Sequence, residues 1–257
     1  MRDGFIISGS FKIQDSFKGV RRGCTLAFVA KNMIIAPGEG PAALAIAQAA
    51  RNAGWRVISA RKQGASGSPR AGASASTSPG DLEGGELILG WNPASYISAG
   101  ALAINAVSAG PIDALVIVSE PEGEGPSLFD GAPGSLAAGL EEASLGPVWI
   151  AREMIRRFES VKAGQLLAVS IEGFDETPRA PGEAAWPAFV RSAFRGFGEG
   201  LFDRARGAAW KAWGIADRGG KPEALAAFAI ALLDEGKGAK SGRWLPFNGK
   251  SGLFGIF

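Results

Sequence analysis

Residues 32–60 read NMIIAPGEGPAALAIAQAARNAGWRVISA, and this stretch indicates the fold class. The apolar run Asn32–Ala36 predicts a strand, and the Gly/Pro-rich segment Pro37–Pro41 predicts a tight turn. The alanine-rich run Ala42–Ala53 predicts a helix, and Trp55–Ala60 predicts a second strand. A strand, a turn, a helix and another strand in this order begin a parallel α/β sheet.

The same alternation continues to the end of the chain. Further strands are predicted at Glu86–Leu89, Ala114–Val118, Gln165–Ser170 and Arg243–Phe247. Helices are predicted at Pro93–Ser108, within Ser135–Phe158, at Trp186–Ala205 and at Pro222–Glu235. Residues 207–220 are predicted to form a short link. We expect its two tryptophans, Trp210 and Trp213, to cap a pocket, to form a contact surface or to pack in the core. About six or seven strands separated by helices predict an α/β fold, a doubly wound, mostly parallel sheet in a three-layer sandwich.

Two segments depart from this alternation. Residues 1–27 are an N-terminal extension, for which we expect either a small hairpin or disorder. Residues 28–257 are expected to form a single domain, interrupted at 61–81 by a run of Gly, Ser, Ala and Pro. Such a composition buries too little apolar surface to offset the loss of conformational entropy, so we expect a flexible loop there.

Composition excludes several classes of function. The 257 residues include no histidine and one cysteine, and the formal net charge is +2. Near charge balance gives no electrostatic reason to expect nucleic-acid binding. Without histidine or a cysteine pair we expect no metal site and no intrachain disulfide, and no apolar run is long enough to span a membrane. In the absence of a secretory leader pattern, the cytoplasm is the expected location.

The order and spacing of these segments resemble the short-chain dehydrogenase/reductase family from about Phe28 to Gly249. The similar pieces are Lys31–Ile35, Ala43–Ala47, Ala53–Val57, Asn92–Ser95, Pro111–Val116, Gly146-Pro147 and Ser241–Pro246. The resemblance implies a Rossmann-like sheet. In active members it also implies a nicotinamide cofactor and a catalytic tetrad of Asn, Ser, Tyr and Lys.

The resemblance places the family's glycine-rich cofactor turn at Pro37, Pro41 and Ala43. Pro41 has no amide hydrogen to offer a pyrophosphate, and Ala43 adds a methyl group at a close helix–strand contact. Glu120 is expected near the cofactor's ribose, where the family uses glycine to clear space. The candidate cofactor-binding residues are Gly38, Gly40, Arg61, Lys62 and Ser119. In an active relative the basic pair would favour NADP, and otherwise it forms a solvated turn.

The resemblance places the catalytic tetrad at Ala143, Ile171, Pro187 and Arg191, with Trp186 as the alternative to Pro187. Arginine stays protonated near neutral pH, and an indole offers only an N–H donor. The one tyrosine, Tyr96, is followed four residues later by Gly100. The chain is therefore identified as a degenerate member of the family, without catalytic residues. We expect it to bind no cofactor, or NADP(H) if it binds one.

These expectations favour a catalytically inactive protein that acts as a non-catalytic or regulatory subunit of an oligomer, alone or with an active member of the family. The resemblance places the subunit contacts on helices 146–158 and 186–205 and on the C-terminal tail. The candidate anchors, unless they are ordinary core residues, are Trp149, Phe194, Phe197 and Phe202. Two alternatives stay open. One is an atypical NADP-dependent oxidoreductase, and the other is a small-molecule or nucleotide sensor that binds through Gly38, Gly40 and Ser119.

Overall fold

A computed structural model describes residues 30–63, 86–120, 132–173, 181–219, 221–235 and 240–249. The expected N-terminal hairpin or disorder at 1–27 lies outside the described residues. So do most of the loop expected at 61–81 and the C-terminal tail.

The described residues contain seven strands, which form one sheet. They are β1 Asn32–Ala36, β2 Arg56–Lys62, β3 Glu86–Trp91, β4 Ala114–Ser119, β5 Gln165–Ile171, β6 Lys211–Asp217 and β7 Trp244–Phe247. Every neighbouring pair is parallel, and the order across the sheet is β3-β2-β1-β4-β5-β6-β7. The predicted doubly wound sheet is confirmed. The strand order reverses between β1 and β4, which is where open α/β sheets bind their ligands, and we call this place the switch point.

The described residues contain six α-helices, and five of them cover the two faces of the sheet. The six are α1 Pro41–Asn52, α2 Tyr96–Ser108, α3 Pro133–Leu140, α4 Gly146–Val161, α5 Pro181–Ala205 and α6 Pro222–Glu235. One π-helical turn, Glu141–Leu145, joins α3 to α4. The sequence analysis expects either one long helix or a broken pair within Ser135–Phe158, and the structure has two helices joined by this turn. Helices α1 and α6 pack on one face, and α2, α4 and α5 pack on the other.

The central strands β1 and β4 are apolar except for Asn32 and Ser119 at their ends, because helices cover both of their faces. All five residues of β1 and all six of β4 are buried. Met33 and Ile35 point into the layer of α1 and α6, whereas Ile34 and Ala36 point into the opposite layer. The sheet is therefore buried at its centre and open for function only along its ends and edges.

The predicted link at 207–220 is wrong, because Lys211–Asp217 forms β6, hydrogen-bonded between β5 and β7. Trp213 is buried in the layer of α1 and α6, and Trp210 is buried in the opposite layer. Both tryptophans are therefore core residues, and neither caps a pocket. The strand escaped prediction because Gly214 and two charged ends interrupt the run of strand-forming residues.

Trp244 of β7 fills a space that two glycines leave open. A Cβ added at Gly198 of α5 or at Gly214 of β6 would overlap the indole ring. Phe194 and Phe202 of α5 pack against the same indole, with ring centroids 6.2 and 5.5 Å away. Both phenylalanines are buried within this chain, which fits the alternative that they are ordinary core residues.

Candidate ligand cavity at the switch point

A cavity of about 370 Å³ opens at the switch point. Its floor includes Val118 and Ser119 at the end of β4, and the turn after β1 contributes Gly40. One wall is apolar and is made by Trp91, Pro93, Pro147, Trp186 and Val190. The charged residues of the lining are Glu39, Lys62, Glu120 and Glu142. A concave site with apolar walls and a few polar groups is typical of ligand pockets.

The first turn of α1 is occupied by a carboxylate of the chain itself. Pro41 is the first helical residue and has no amide hydrogen. The Ala42 N–H donates to Oε2 of Glu120 at 3.1 Å. A helix N-terminus attracts anions through its unpaired N–H groups and its dipole, and here Glu120 supplies that anion.

Gly40 makes room for this contact. Its φ is +91°, and a Cβ added there would lie 2.6 Å from Oε2 of Glu120. The sequence analysis expects the Glu120 carboxylate near the cofactor's ribose. In the structure the side chain lines the cavity and its carboxylate reaches the start of α1, across a sequence separation of 78 residues.

Gly38 has a structural role next to the cavity. Its N–H donates to the Ala60 carbonyl at 2.6 Å, and an added Cβ would lie 2.8 Å from Cβ of Ser59. Gly38 therefore holds the turn tightly against β2. Of the predicted cofactor-binding residues, Gly40, Lys62 and Ser119 belong to the described lining, and Gly38 and Arg61 do not.

Lys62 is held at the mouth of the cavity by two carboxylates. Its ammonium forms an ion pair with Glu142 of the π-helical turn. Its backbone N–H donates to Oε1 of Glu39 at 2.8 Å. Lys62 is consequently a poorer phosphate ligand than its place at the end of β2 predicts.

Arg61 also faces a carboxylate. Its guanidinium lies 3.9 Å from Oε1 of Glu86, the first residue of β3. Glu86 in addition accepts a hydrogen bond from Ser59 Oγ at 2.6 Å and forms an ion pair with Arg51 of α1. Both members of the predicted phosphate-binding pair are thus engaged by acidic side chains of the chain.

Helix α5 presents an indole and an isopropyl group to the cavity. Trp186 and Val190 are four residues apart on α5, and both line the cavity. Ala143 lines it as well, whereas Ile171, Pro187 and Arg191 are absent from the described lining. Of the predicted tetrad positions, Ala143 and the alternative Trp186 therefore belong to the described lining.

Arg191 belongs to a second, open groove that the sequence analysis missed. Around Glu172, which follows β5, Arg195 and Arg218 bind the carboxylate at 2.6 and 3.1 Å, and Arg191 donates to the backbone carbonyl at 3.1 Å. The spacing of four between Arg191 and Arg195 was a readable signal that both lie on one helix face.

Asp217, at the end of β6, lies beside this groove. It is only 2% exposed. Burial raises the pKa of its carboxyl, and the negative charge of Glu172 adds to this effect, while the Gly219 N–H at 2.8 Å opposes it. The groove thus combines three guanidinium groups with one carboxylate and an acid that ionises less readily than usual.

Within the described ranges, no group of three or more Asp, Glu, Cys or His residues is arranged to hold a metal ion. Among the described helices, none is long and apolar enough to cross a membrane.

No protein-family model matches the sequence, and no curated protein is significantly similar to it. Solved structures do match. A metagenomic short-chain oxidoreductase in complex with NADP has a TM-score of 0.62 and 15% identity, over 84% of this chain and 97% of that one. A short-chain dehydrogenase/reductase from Serratia marcescens has a TM-score of 0.65 and 21% identity, over 86% and 98%. The 3-ketoacyl-(acyl-carrier-protein) reductase from Brucella melitensis, complexed with NADH, has a TM-score of 0.65 and 16% identity, over 87% and 98%.

Identities this low establish a shared fold and nothing finer. The likeness covers nearly the whole length of each solved structure and most of this chain. Together with the strand order and the cavity at the switch point, it shows that the chain has the fold of the short-chain dehydrogenase/reductases.

Proposed function

We propose that this protein is a non-catalytic member of that fold, which binds no nicotinamide dinucleotide and works as a non-catalytic or regulatory subunit of an oligomer. One observation carries the proposal. The Glu120 carboxylate accepts the Ala42 N–H at the start of α1, where the pyrophosphate of a dinucleotide docks in Rossmann folds.

A pyrophosphate entering this place would meet a like charge. It would also have to displace a hydrogen bond to a charged group, which typically contributes about 1.5–3 kcal/mol. Pro41 removes another backbone donor from the same turn. With Lys62 and Arg61 already facing carboxylates, the remaining lining compensates poorly for these losses.

The wall of the cavity supports the absence of carbonyl reduction. Trp186 and Val190, four residues apart on α5, line the cavity, and the resemblance gives this helix the proton donor and its lysine. Neither side chain exchanges a proton near neutral pH. Since general acid–base catalysis contributes roughly 10²–10⁴-fold to a rate, a reaction that depends on it would be correspondingly slow.

The subunit role draws on the outer surface of α5. Phe189 is 44% exposed there, next to exposed Ala188 and Ser192. Trp149 of α4 and Phe197 of α5 are only partly buried. Light scattering on the full-length protein tests this role, with an oligomer expected for the wild type and a shift toward monomer for Phe189→Ser. A wild-type monomer would contradict the subunit role.

Thermal unfolding with NADPH and with NADH tests the cofactor part of the proposal. A ligand at about 100 times its Kd stabilises a protein by roughly 2.7 kcal/mol, and we expect no shift for the wild type with either nucleotide. Glu120→Ala should acquire a shift with NADPH, because it frees the first turn of α1. Glu141→Ala is the matched control, since Glu141 is an exposed acid that is absent from the described lining.

A clear stabilisation of the wild type by NADPH, or nucleotide-dependent reduction of a ketone, would overturn the proposal. Glu120→Ala behaving like Glu141→Ala would show that Glu120 is not what keeps the nucleotide out. The second candidate, an atypical NADP-dependent oxidoreductase, is favoured by the position of Arg61 and Lys62 at the end of β2. The NADPH titration decides between the two.

A further inference from the structure

We propose that the protein attaches to an anionic membrane surface through the exposed sides of α2 and α4. We call this surface the α2–α4 face, and it consists of exposed side chains of the two helices: Tyr96, Ile97, Ala101, Ile104, Arg152, Arg156 and Arg157. The inference goes beyond the proposed function and does not depend on it, since the subunit role uses the outer surface of α5. Attachment of this kind needs no helix that spans the membrane, only one side of the molecule that lies on it.

Helix α2 presents an uncharged, apolar side to solvent. Its sequence, YISAGALAINAVS, contains no Asp, Glu, Lys or Arg. Ile97 and Ile104 are 80% and 68% exposed, the highest values among the described large hydrophobic side chains. They are about two helical turns apart and lie on one line of the helix, with Ala101 exposed between them. A surface helix normally turns charged or polar side chains outward, so this row suits an apolar environment.

A row of arginines borders the apolar row. Helices α2 and α4 pack side by side on the same face of the sheet, so their outer sides form one surface. Arg152, Arg156 and Arg157 are exposed on α4. The guanidinium of Arg152 lies 5.4 Å from the centre of the Tyr96 ring, at the start of α2. The positive row is therefore adjacent to the apolar one.

The charge of the α4 side is positive overall. The segment Arg152–Lys162 contains four basic residues and two acids. Both acids form ion pairs with arginines, Glu153 with Arg156 and Glu159 with Arg204 of α5. Basic residues close to an anionic lipid surface are attracted to it, and the attraction adds up over several residues. The α4 side therefore favours a negatively charged surface.

The area of the face favours lipid over a protein partner. A stable protein interface buries about 800 Å² on each partner. The apolar part of the α2–α4 face is limited to Tyr96, Ile97, Ala101 and Ile104, and the rest of it is charged. Neither a second copy of this chain nor another protein finds enough apolar surface here for a stable complex. A lipid surface sets no such threshold, because inserted apolar side chains and nearby basic residues each add to the affinity.

Sedimentation of the full-length protein with vesicles tests the inference. The two kinds of vesicle are phosphatidylcholine alone and equal parts of phosphatidylcholine and phosphatidylglycerol. At low salt we expect at least about tenfold stronger binding to the mixed vesicles, since several basic residues contribute. Raising the salt concentration should weaken this binding, because it shortens the Debye length. No binding to the mixed vesicles at low salt, or equal binding to both kinds, would overturn the inference.

Serine substitutions locate the apolar part of the binding. Ile97→Ser and Ile104→Ser should each weaken binding to the mixed vesicles several-fold, because each removes a side chain that inserts among the lipids. Leu44→Ser is the matched control. Leu44 is a 49% exposed aliphatic residue of α1, which packs on the opposite side of the sheet, so this variant should bind like the wild type.

A charge variant locates the electrostatic part. The double substitution Arg156→Gln and Arg157→Gln should weaken binding to the mixed vesicles several-fold and make it less sensitive to salt. Lys221→Gln is the matched control, since it removes an exposed positive charge directly before α6, on the opposite side of the sheet. Isoleucine and arginine variants that all bind like the wild type would place the binding elsewhere and overturn the assignment.

Light scattering without vesicles separates a second copy of the chain from a lipid surface. If Ile97→Ser and Ile104→Ser convert an oligomer into a smaller species, and the wild type does not bind the mixed vesicles, a second copy covers the face and the membrane assignment is overturned. An unchanged size in both variants, together with weaker vesicle binding, supports the assignment. Thermal unfolding of each variant confirms that it is folded before these measurements.

Discussion

Two carboxylates on adjacent strands of the sheet are stabilised in opposite ways. Glu120, directly after β4, accepts a backbone N–H at the first turn of α1. Glu172, directly after β5, is bound by the side chains of Arg195 and Arg218. The difference comes from what each acid faces, because Glu120 meets the end of a helix, whereas Glu172 meets one arginine of α5 and one that follows β6.

The comparison shows which parts of each arrangement are fixed by the backbone. The donor for Glu120 exists wherever α1 begins, so this contact depends mainly on the space that Gly40 leaves. The donors for Glu172 are side chains, so single substitutions can remove them. We therefore expect the Glu172 groove to respond to charge removal and the Glu120 contact to respond to changes of shape.

The largest expected effect is that of Glu172→Ala. Its side chain is 18% exposed and binds two arginines, and losing hydrogen bonds to charged groups leaves guanidinium groups facing one another. We expect the free energy of unfolding to fall by about 2 kcal/mol, measured by urea denaturation. Glu153→Ala is the matched control. Glu153 is 19% exposed but binds one exposed arginine three residues away, which predicts a loss of less than about 1 kcal/mol. Equal losses would remove the proposed distinction between the two regions.

The next effect concerns Gly40, which precedes α1. Its φ of +91° and ψ of 153° form a conformation that essentially only glycine adopts, so alanine there carries a backbone cost whatever its neighbours. The added Cβ would also meet Glu120. This contact should contribute about 1 kcal/mol to the cost of Gly40→Ala, and that part should disappear in a Glu120→Ala background. A double-mutant cycle by urea denaturation measures it, and a Gly40→Ala cost that is the same with and without Glu120 would show that the contact is unimportant.

The smallest effect concerns Asp217 and its dependence on pH. Burial, reinforced by the charge of Glu172, raises its pKa above the ordinary value of 3.8. The folded protein then holds this proton to higher pH than the unfolded chain does, so the free energy of unfolding falls as the pH rises from that ordinary value through the raised pKa. Asp217→Asn keeps an acceptor for the Gly219 N–H and should flatten this part of the curve. Urea denaturation across the acidic range measures it, with Asp203→Asn on the exposed surface as the control. Parallel curves for wild type and Asp217→Asn would contradict the expectation.

The sequence predicted correctly those strands and helices whose limits are marked by residues within the element itself. The strand Asn32–Ala36 and the helix Pro222–Glu235 have the predicted limits, because an apolar run in one case and an initial proline in the other mark their ends. Strand β6 was missed because its identity depends on pairing with β5 and β7 on either side. The residues of β6 alone, a short run that contains a glycine, do not show that it pairs with strands distant in the sequence.

The candidate site divides in the same manner. Gly40, Lys62, Ser119 and Ala143 were expected near the ligand, and they line the cavity. The contact of Glu120 with α1 was not predicted, since it depends on a rotamer and on the adjacency of β1 and β4. Likewise, Arg218 reaches Glu172 only because β5 and β6 pair, with Ile171 opposite Asp217.

The indole of Trp244, seated over Gly198 and Gly214, has a consequence for how this chain can diverge. A larger residue at either glycine is accommodated only if position 244 shrinks, and a smaller residue at 244 leaves a hollow beside both glycines. The three positions should therefore change together among homologues. A recombination event that exchanged only β7 would separate Trp244 from the two glycines. The segment from the middle of α5 to β7 is therefore expected to be exchanged as a whole.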